Sequence, residues 1–186
     1  MRTNSEYILT EWLVLQAQEG HVEALEQLLE LWYPKLIRYA KLQTRSDEDA
    51  KDAVQDCLLI VARKLIKLKD PITFPKWIYT ILHRRSIDKV RQNVSKQRLL
   101  QEKRDFNQII DELRQDDIGS SHLDTKIDLF DALQQLEQSS ALLVHLHYLE
   151  GLTMSEIAEV TKVPVGTVKS RLFAARKSMK KLLDEY

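Results

Sequence analysis

The sequence is poor in residues that break helices or cross-link a chain. It has four glycines, four prolines and one cysteine in 186 residues, while 44% of the residues are hydrophobic. Because β-branched runs are also few, an all-α fold is favoured over a sheet. The single cysteine, Cys57, lies in an apolar run and excludes an intrachain disulfide or a multi-cysteine zinc site. This cysteine usage suits a reducing cytosol.

Export signals and long apolar stretches are also missing. The N-terminus lacks the basic-then-apolar pattern of a signal peptide. No stretch approaches the roughly 18 apolar residues of a membrane span. We therefore expect a cytoplasmic protein without membrane insertion.

Net charge is zero overall, with 28 basic and 28 acidic residues, which by itself argues against a nucleic-acid binder. The charges are nevertheless segregated along the chain. The segment from Lys76 to Arg98 is basic apart from Asp88, and the segment from Lys162 to Lys181 contains no acid. The segment from Asp105 to Asp128 is acidic. Either basic segment alone is equally consistent with a solvated helix face.

Apolar spacing and capping signals predict helices in the first half of the chain. Two helices are expected between Tyr7 and Leu42, with a break at Gly20. Ser46 and Asp49 resemble a capping box, which predicts a helix that begins near Asp47 and stops before Pro71. A further helix is expected from Lys76 to about Asn93, because proline fits the first turn of a helix.

The second half begins with a polar segment, from about Val94 to Asp124, that we interpret as a linker, in part helical. Four helices are expected after it: Ile127–Leu136, Ala141–Leu149 and a pair separated by Thr161–Val163. The predicted organisation is two small helical domains, 1–95 and 126–186, joined by a flexible linker over 96–125.

The strongest motif is a helix-turn-helix between Leu152 and Leu183. Thr153 and Glu156 form a second capping box, and Pro164 fits the first turn of the next helix. On a helical wheel, one face of that helix is apolar and is expected to be core: Val165, Val168, Leu172, Ala175 and Met179. The opposite face is small, polar and cationic, as in a helix that enters a major groove. Its residues, with those on its flanks, are Gly166, Thr167, Lys169, Ser170, Arg171, Phe173, Ala174 and Lys177. Phe173 has an alternative interpretation, contact with a neighbouring helix.

Two helices of the first half carry further candidates. The helix from Asp52 to Leu65 is too apolar to be a one-sided surface helix, and it must contact something on two sides. Its polar residues Asp52, Gln55 and Asp56 also fit a solvated edge.

The segment from Phe74 to Gln92 interleaves aromatic residues with basic residues, a pattern that can bind single-stranded DNA. Trp77 shares a face with Phe74, Ile78 and Ile81, which favours a core position over its alternative, a platform for base stacking. Lys76, Tyr79, Thr80, His83 and Arg84 point elsewhere.

Taken together, the segments DAVQD, FPKWIYTILHRRSIDKVR and VPVGTVKSRLFAARKSMKKLL resemble extracytoplasmic-function (ECF) sigma factors, a branch of the sigma-70-like family, over almost the whole chain. The resemblance implies a non-enzymatic, cofactor-free transcription factor that recruits core RNA polymerase to promoters and aids melting. The implied partners are promoter DNA and core polymerase, through the β′ clamp helices and the β flap. Many members are also held inactive by an anti-sigma factor.

The resemblance further implies roles for the candidates. Asp52, Gln55, Asp56 and Leu59 occupy the surface that docks on the β′ clamp helices. The Pro71 loop and the following helix occupy the minus-ten-recognising position, with Lys76, Tyr79, His83, Arg84, Asp88 and Arg91 as DNA-contacting residues. The last helix corresponds to the reader of the minus-thirty-five element. Arg84 and Ala174 depart from the residues found in many and in some members, respectively, so promoter preference is not inherited.

Two other classes of function compete with this interpretation. A helix-turn-helix regulator of another class, such as a response regulator, needs a sensor domain, but the first half lacks alternating strands and helices. An enzyme with a metal site on His145 and His147 is disfavoured, because these positions point about 200° apart on a helix. We therefore expect no catalytic residue and no metal ligand.

Overall fold

The computed structural model describes residues 4–107 and 136–184. Its α-helices are α1 (Asn4–Gln18), α2 (Val22–Gln43), α3 (Asp47–Lys64), α4 (Phe74–Asn107), α5 (Gln138–Val144), α6 (Met154–Thr161) and α7 (Val165–Asp184). Two 3-10 helices, Leu65–Lys67 and Pro71–Thr73, connect α3 to α4, and a π-helical turn, His145–Leu149, extends α5. No strand occurs in these ranges, which confirms the predicted all-α fold.

The first two helices pack on each other, as expected, and the short turn between them makes them antiparallel. They are joined at Gly20, whose φ of 99° lies in the left-handed region that favours glycine. The buried side of α1, including Leu13 and Val14, packs on α2. Among the described residues, no helix combines the length and apolar composition that crossing a bilayer requires.

The start of α3 agrees with the capping prediction. The Ser46 hydroxyl accepts a hydrogen bond from the Asp49 backbone N–H at 3.1 Å, which supplies one orphan donor of the first turn. Buried Ala53, Val54 and Cys57 then pack the helix against its neighbours. Since α3 contacts both α2 and α4, its two-sided apolar character is explained.

The helix α4 begins two residues before the predicted start and is longer than expected. It continues to Asn107, so the first part of the predicted linker, 96–107, is helical. The sequence from Val94 to Asn107 contains neither proline nor glycine and is rich in Gln, Lys, Arg and Leu, which are strong helix formers. The polar composition of this segment predicted a linker, but its high helix propensity explains why the helix continues. The rest of the predicted linker and the predicted helix Ile127–Leu136 lie outside the described residues, apart from Leu136.

An aromatic cluster lies where α2 meets α4. Trp32 makes edge-on contacts with Phe74 and Tyr79, at ring-centroid distances of 5.1 and 6.0 Å, and Tyr39 contacts Tyr79 at 5.1 Å. All four side chains are fully buried. Such pairs contribute about 0.5–1.5 kcal/mol each beyond burial, so this cluster holds α4 in one orientation.

We call α1 to α4 the first module and α5 to α7 the C-terminal module. Helices α5 to α7 pack on one another and on the first module. The ring of His145 lies 5.6 Å from that of Tyr39, and α6 packs against α4. The Tyr7 hydroxyl donates to the carbonyl of Glu150 at 3.3 Å, next to Gly151. The predicted boundaries at residues 95 and 126 are not decided by these contacts and stay a prediction.

Gly151 gives a test of this packing. Its φ is 70°, and a Cβ at this position would overlap the Tyr7 hydroxyl. We expect Gly151→Ala to lower the free energy of unfolding by about 1 to 2 kcal/mol, from backbone strain and displacement of Tyr7. Chemical denaturation measures the loss. Gly20→Ala is the matched control, since Gly20 has φ 99° with no atom near its Cβ position. Equal losses in both variants would show that the Tyr7 contact contributes nothing.

Candidate nucleic-acid and polymerase interfaces

Helices α6 and α7 form the predicted helix-turn-helix. The Thr153 hydroxyl accepts from the Glu156 N–H at 3.2 Å, and the Thr153 N–H donates to the Glu156 carboxylate at 2.9 Å, so the capping box is complete. Lys162 ends α6 in the left-handed conformation, with φ 59°. Pro164 directly precedes α7 instead of lying within its first turn, and its carbonyl accepts from the Val168 N–H at 3.0 Å. The turn between the helices is therefore tight.

The two faces of α7 differ as the helical wheel predicts, with one exception. Val168, Leu172 and Ala175 are buried, but Val165 is 47% exposed because it lies at the very start of the helix. The predicted DNA-reading residues lie on the surface: Gly166, Lys169, Ser170, Phe173, Ala174 and Lys177 are exposed, and Thr167 and Arg171 are half-buried. A continuous small and cationic face is thus open to a ligand.

A groove of about 470 Å³ runs beside this face, between α7 and the π-helical turn. Phe173 lines the groove and is 72% exposed, so the alternative in which it completes a contact with a neighbouring helix is not supported. Across the groove, the Arg176 guanidinium donates to the Tyr148 hydroxyl at 2.6 Å and lies over that ring. Arg176 is therefore held by the protein itself.

The predicted minus-ten residues of α4 separate into two groups. Arg84, Asp88 and Arg91 follow one another at four- and three-residue spacing, and each is exposed or half-buried. They form one stripe on α4, which we call the α4 stripe. Lys76 continues this stripe towards the start of α4, where its ammonium group is ion-paired with Glu159 of α6 at 3.0 Å.

Two of the predicted minus-ten residues are not on the surface, and the expectation that they point outwards is wrong. Tyr79 is fully buried in the aromatic cluster, and His83 is 9% exposed. The Nδ1 atom of His83 lies 2.8 Å from the Tyr39 hydroxyl and 3.1 Å from the Gln43 amide nitrogen. A helical wheel assumes one buried face, whereas α4 packs against α2, α3 and α6 and therefore buries more than one.

The four predicted polymerase-binding residues do lie together on α3. Gln55 and Leu59 are exposed, Leu59 by 56%, and Asp52 and Asp56 are about half exposed. The Lys89 ammonium group of α4 lies 3.1 Å from the Asp52 carboxylate and 3.9 Å from that of Asp56. Sequence reasoning missed Lys89 here, because only the packing of α4 on α3 brings it to these acids.

Cys57 shows no feature of a reactive thiol. It is buried, with its sulfur 3.7 Å from the Ile78 carbonyl oxygen. Burial raises its pKa to about 12, so the thiolate is not formed at neutral pH. Within residues 4–107 and 136–184, no three potential ligands gather in a way that would hold a metal ion.

The fold and the open α7 face define a class: an all-helical protein with a carboxy-terminal helix-turn-helix suited to DNA. The family model for ECF sigma factors matches residues 8–185. The chain therefore belongs to the ECF sigma factor family, whose members bind core RNA polymerase and promoter DNA in transcription initiation. The competing interpretation, a helix-turn-helix regulator of another class, is not supported.

Individual relatives agree with this assignment. RNA polymerase sigma factor SigV of Bacillus subtilis is 30% identical over 143 residues, which cover 77% of this chain and 81% of SigV. The ECF RNA polymerase sigma-E factor of Haemophilus influenzae is 27% identical, with 92% and 94% covered. The sigma factor RpoE of Bartonella quintana, solved with the anti-sigma factor NepR, has a similar fold, with a TM-score of 0.60 and 24% identity over 86% of this chain and 96% of that one.

The buried position of His83 predicts a pH-dependent stability. Desolvation lowers its pKa from 6.5 to about 4, so the folded protein keeps the ring neutral while the unfolded chain takes up a proton below pH 6.5. The free energy of unfolding therefore loses nothing to His83 above pH 6.5. It falls as the pH drops towards 4, by on the order of 3 kcal/mol for this group. Urea denaturation at pH 7.5, 5.5 and 4.5 measures the loss. His83→Gln, which does not titrate, should lose less, and equal losses in both proteins would contradict the assignment.

Proposed function

We propose that this sigma factor divides promoter recognition between its two modules. Helix α7 reads the minus-thirty-five element in duplex DNA, and the α4 stripe contacts the minus-ten element as it melts. The α3 surface of Asp52, Gln55, Asp56 and Leu59 binds the β′ clamp helices of core polymerase. The single observation that carries the proposal is the open polar and cationic face of α7, from Gly166 to Lys177.

The α7 face supports duplex reading through its composition. Lys169 and Arg171 supply charge-assisted donors for phosphates and guanine edges, while Phe173 and Ala174 supply apolar contacts for thymine methyl groups. No atom of the described residues lies within 4 Å of the Cβ position of Gly166, so no packing contact among them requires glycine there. A close approach of the α7 backbone to DNA accounts for this glycine.

The α4 stripe requires a rearrangement at one end. Arg84 and Arg91 are open, but α6 covers the Lys76 end and Glu159 neutralises it. Glu159 is 61% exposed, and such surface ion pairs contribute about 0–1 kcal/mol. A DNA phosphate therefore competes readily for Lys76 once α6 moves aside. Tyr79 and His83 take no part in this contact.

Three further parts of the proposal follow from the family. The protein acts in the cytoplasm without catalytic chemistry of its own, since polymerase supplies the reaction. The β flap of polymerase contacts the carboxy-terminal module. An anti-sigma factor controls the protein, as the complex of the Bartonella relative with NepR suggests.

The α7 proposal predicts that variants of its exposed cations lose promoter binding. Lys169→Ala and Arg171→Ala should each weaken promoter binding by the polymerase complex by about 1 to 3 kcal/mol where a base contact is lost. Fluorescence anisotropy with labelled promoter DNA at several salt concentrations measures the change, and start-site-specific transcripts should decline with it. Arg38→Ala, an exposed cation on α2, is the control. If all three variants behaved alike, α7 would not be the reader.

The α3 proposal predicts weaker binding to core polymerase. Leu59→Ser removes an exposed side chain, so the fold should be unchanged while affinity for core polymerase falls by about 1 to 2 kcal/mol, roughly 5- to 30-fold. Ile66→Ser, at a residue 72% exposed outside this surface, is the matched control. Size-exclusion binding assays with core polymerase measure the affinity. Unchanged binding in Leu59→Ser would exclude this docking surface.

A further inference from the structure

Helix α1 presents large apolar side chains to solvent as well as to the core. Ile8 is 60% exposed, Leu9 43%, Trp12 53% and Leu15 48%. We call these four residues the α1 outer face. A helix that packs by one side only carries polar residues on its other side, and a helix that is apolar all round is normally covered on both. The α1 outer face therefore has the composition of a second contact surface.

No residue of the α1 outer face belongs to the sites proposed above. Helix α1 packs on α2, on α4 and on the short helices between Leu65 and Thr73, whereas the docking residues lie on α3. The Tyr7 hydroxyl links α1 to the C-terminal module through the Glu150 carbonyl, and Tyr7 is half-buried and not part of the α1 outer face. Neither DNA reading nor polymerase docking, as proposed, uses the α1 outer face.

Acidic residues predominate around the α1 outer face. Residues 4–31 contain six glutamates and no lysine or arginine: Glu6, Glu11, Glu19, Glu23, Glu26 and Glu30. Because α1 and α2 are antiparallel and joined by a short turn, the glutamates of early α2 lie alongside the second half of α1. Among the described residues, Lys35 and Lys67 are cations at the border of this region. Lys35 is ion-paired with Glu6, and Lys67 belongs to the short helix at the carboxy-terminal end of α1.

We propose that the α1 outer face binds an amphipathic helix of a second protein whose apolar side is flanked by lysine and arginine. The apolar residues supply affinity, and the glutamates select a cationic partner. A second copy of this chain fits poorly, because a twofold pairing of α1 helices places like charges together. An anionic membrane is repelled for the same reason.

Trp12 provides a direct readout, because it is the exposed member of the three tryptophans: Trp32 is buried and Trp77 is half-buried. The probe is a synthetic peptide of about 20 residues, long enough to form a helix. Leucines repeat in it at three- and four-residue spacing, and lysine and glutamine fill the other positions. Added to the full-length protein labelled with ¹⁵N, it should shift the indole N–H resonance of Trp12 and leave that of Trp32 in place. A peptide with glutamate in place of lysine should bind at least tenfold more weakly.

Paired variants separate this surface from polymerase docking. Ile8→Ser combined with Leu15→Ser should weaken peptide binding roughly tenfold or more while start-site-specific transcription with purified core polymerase is unchanged. Leu59→Ser should do the reverse, with normal peptide binding and reduced polymerase binding. Failure of the α3 proposal is therefore distinguishable from failure of this one.

Several results would overturn the inference. Equal binding of the two peptides would remove the charge argument, and an unshifted Trp12 resonance would move the site elsewhere. A concentration-dependent dimer that is lost in the double variant would assign the surface to a second copy. Shifts of Trp12 with anionic phospholipid vesicles would assign it to a membrane, and loss of transcription in the double variant would assign it to polymerase.

The natural partner is tested in cells by replacing Trp12 with a photoreactive phenylalanine analogue that crosslinks to whatever binds the α1 outer face. Mass spectrometry of the crosslink should identify a segment with apolar residues at helical spacing and flanking Lys or Arg. A crosslink to an acidic segment, to a second copy or to no protein would contradict the proposal.

Discussion

The rest of the structure depends on the packing of aromatic rings between α2 and α4. Trp32, Tyr39, Phe74 and Tyr79 are buried against one another, and this contact fixes the rotation of α4 about its own axis. Once Tyr79 points inwards, Arg84 and Arg91 must point outwards, because helix geometry sets the angle between them. The same rotation brings Lys89 to the acids of α3. Two proposed functional surfaces thus have their positions set by one buried cluster.

Features that depend on neighbouring residues could be predicted from the sequence. Both capping signals, at Ser46 and Thr153, mark the starts of helices, and the apolar spacing of Val168, Leu172 and Ala175 identifies the buried face of α7. Such signals arise from interactions within a turn or two of helix. The accessible α7 face could therefore be predicted almost residue by residue, although its contact with DNA stays a proposal.

Features that depend on distant parts of the chain could not be predicted. Tyr79 and His83 looked available because a wheel of α4 alone shows one apolar face, whereas α2, α3 and α6 pack against different sides of α4. The environment of His83 comes from Tyr39 and Gln43, which are 44 and 40 residues away in sequence. The extension of α4 beyond Asn93 was missed for a different reason: polar composition was given more weight than helix propensity.

The contacts between the modules differ greatly in strength, and this difference bears on function. His145 is 1% exposed and lies against Tyr39 and Tyr79, so separating it from them exposes buried surface and polar ring atoms to water. The pair of Lys76 with Glu159 is largely solvated and contributes at most about 1 kcal/mol. Packing around His145 therefore holds the modules together, while the ion pair controls only the charge state of one end of the α4 stripe. Breaking the Lys76–Glu159 pair costs little, whereas moving α6 away from α4 together with its neighbours also costs the packing around His145. Under the proposed function, access of DNA to Lys76 therefore needs more binding energy than one phosphate contact supplies, and core polymerase, the other partner of an ECF sigma factor, is its proposed source.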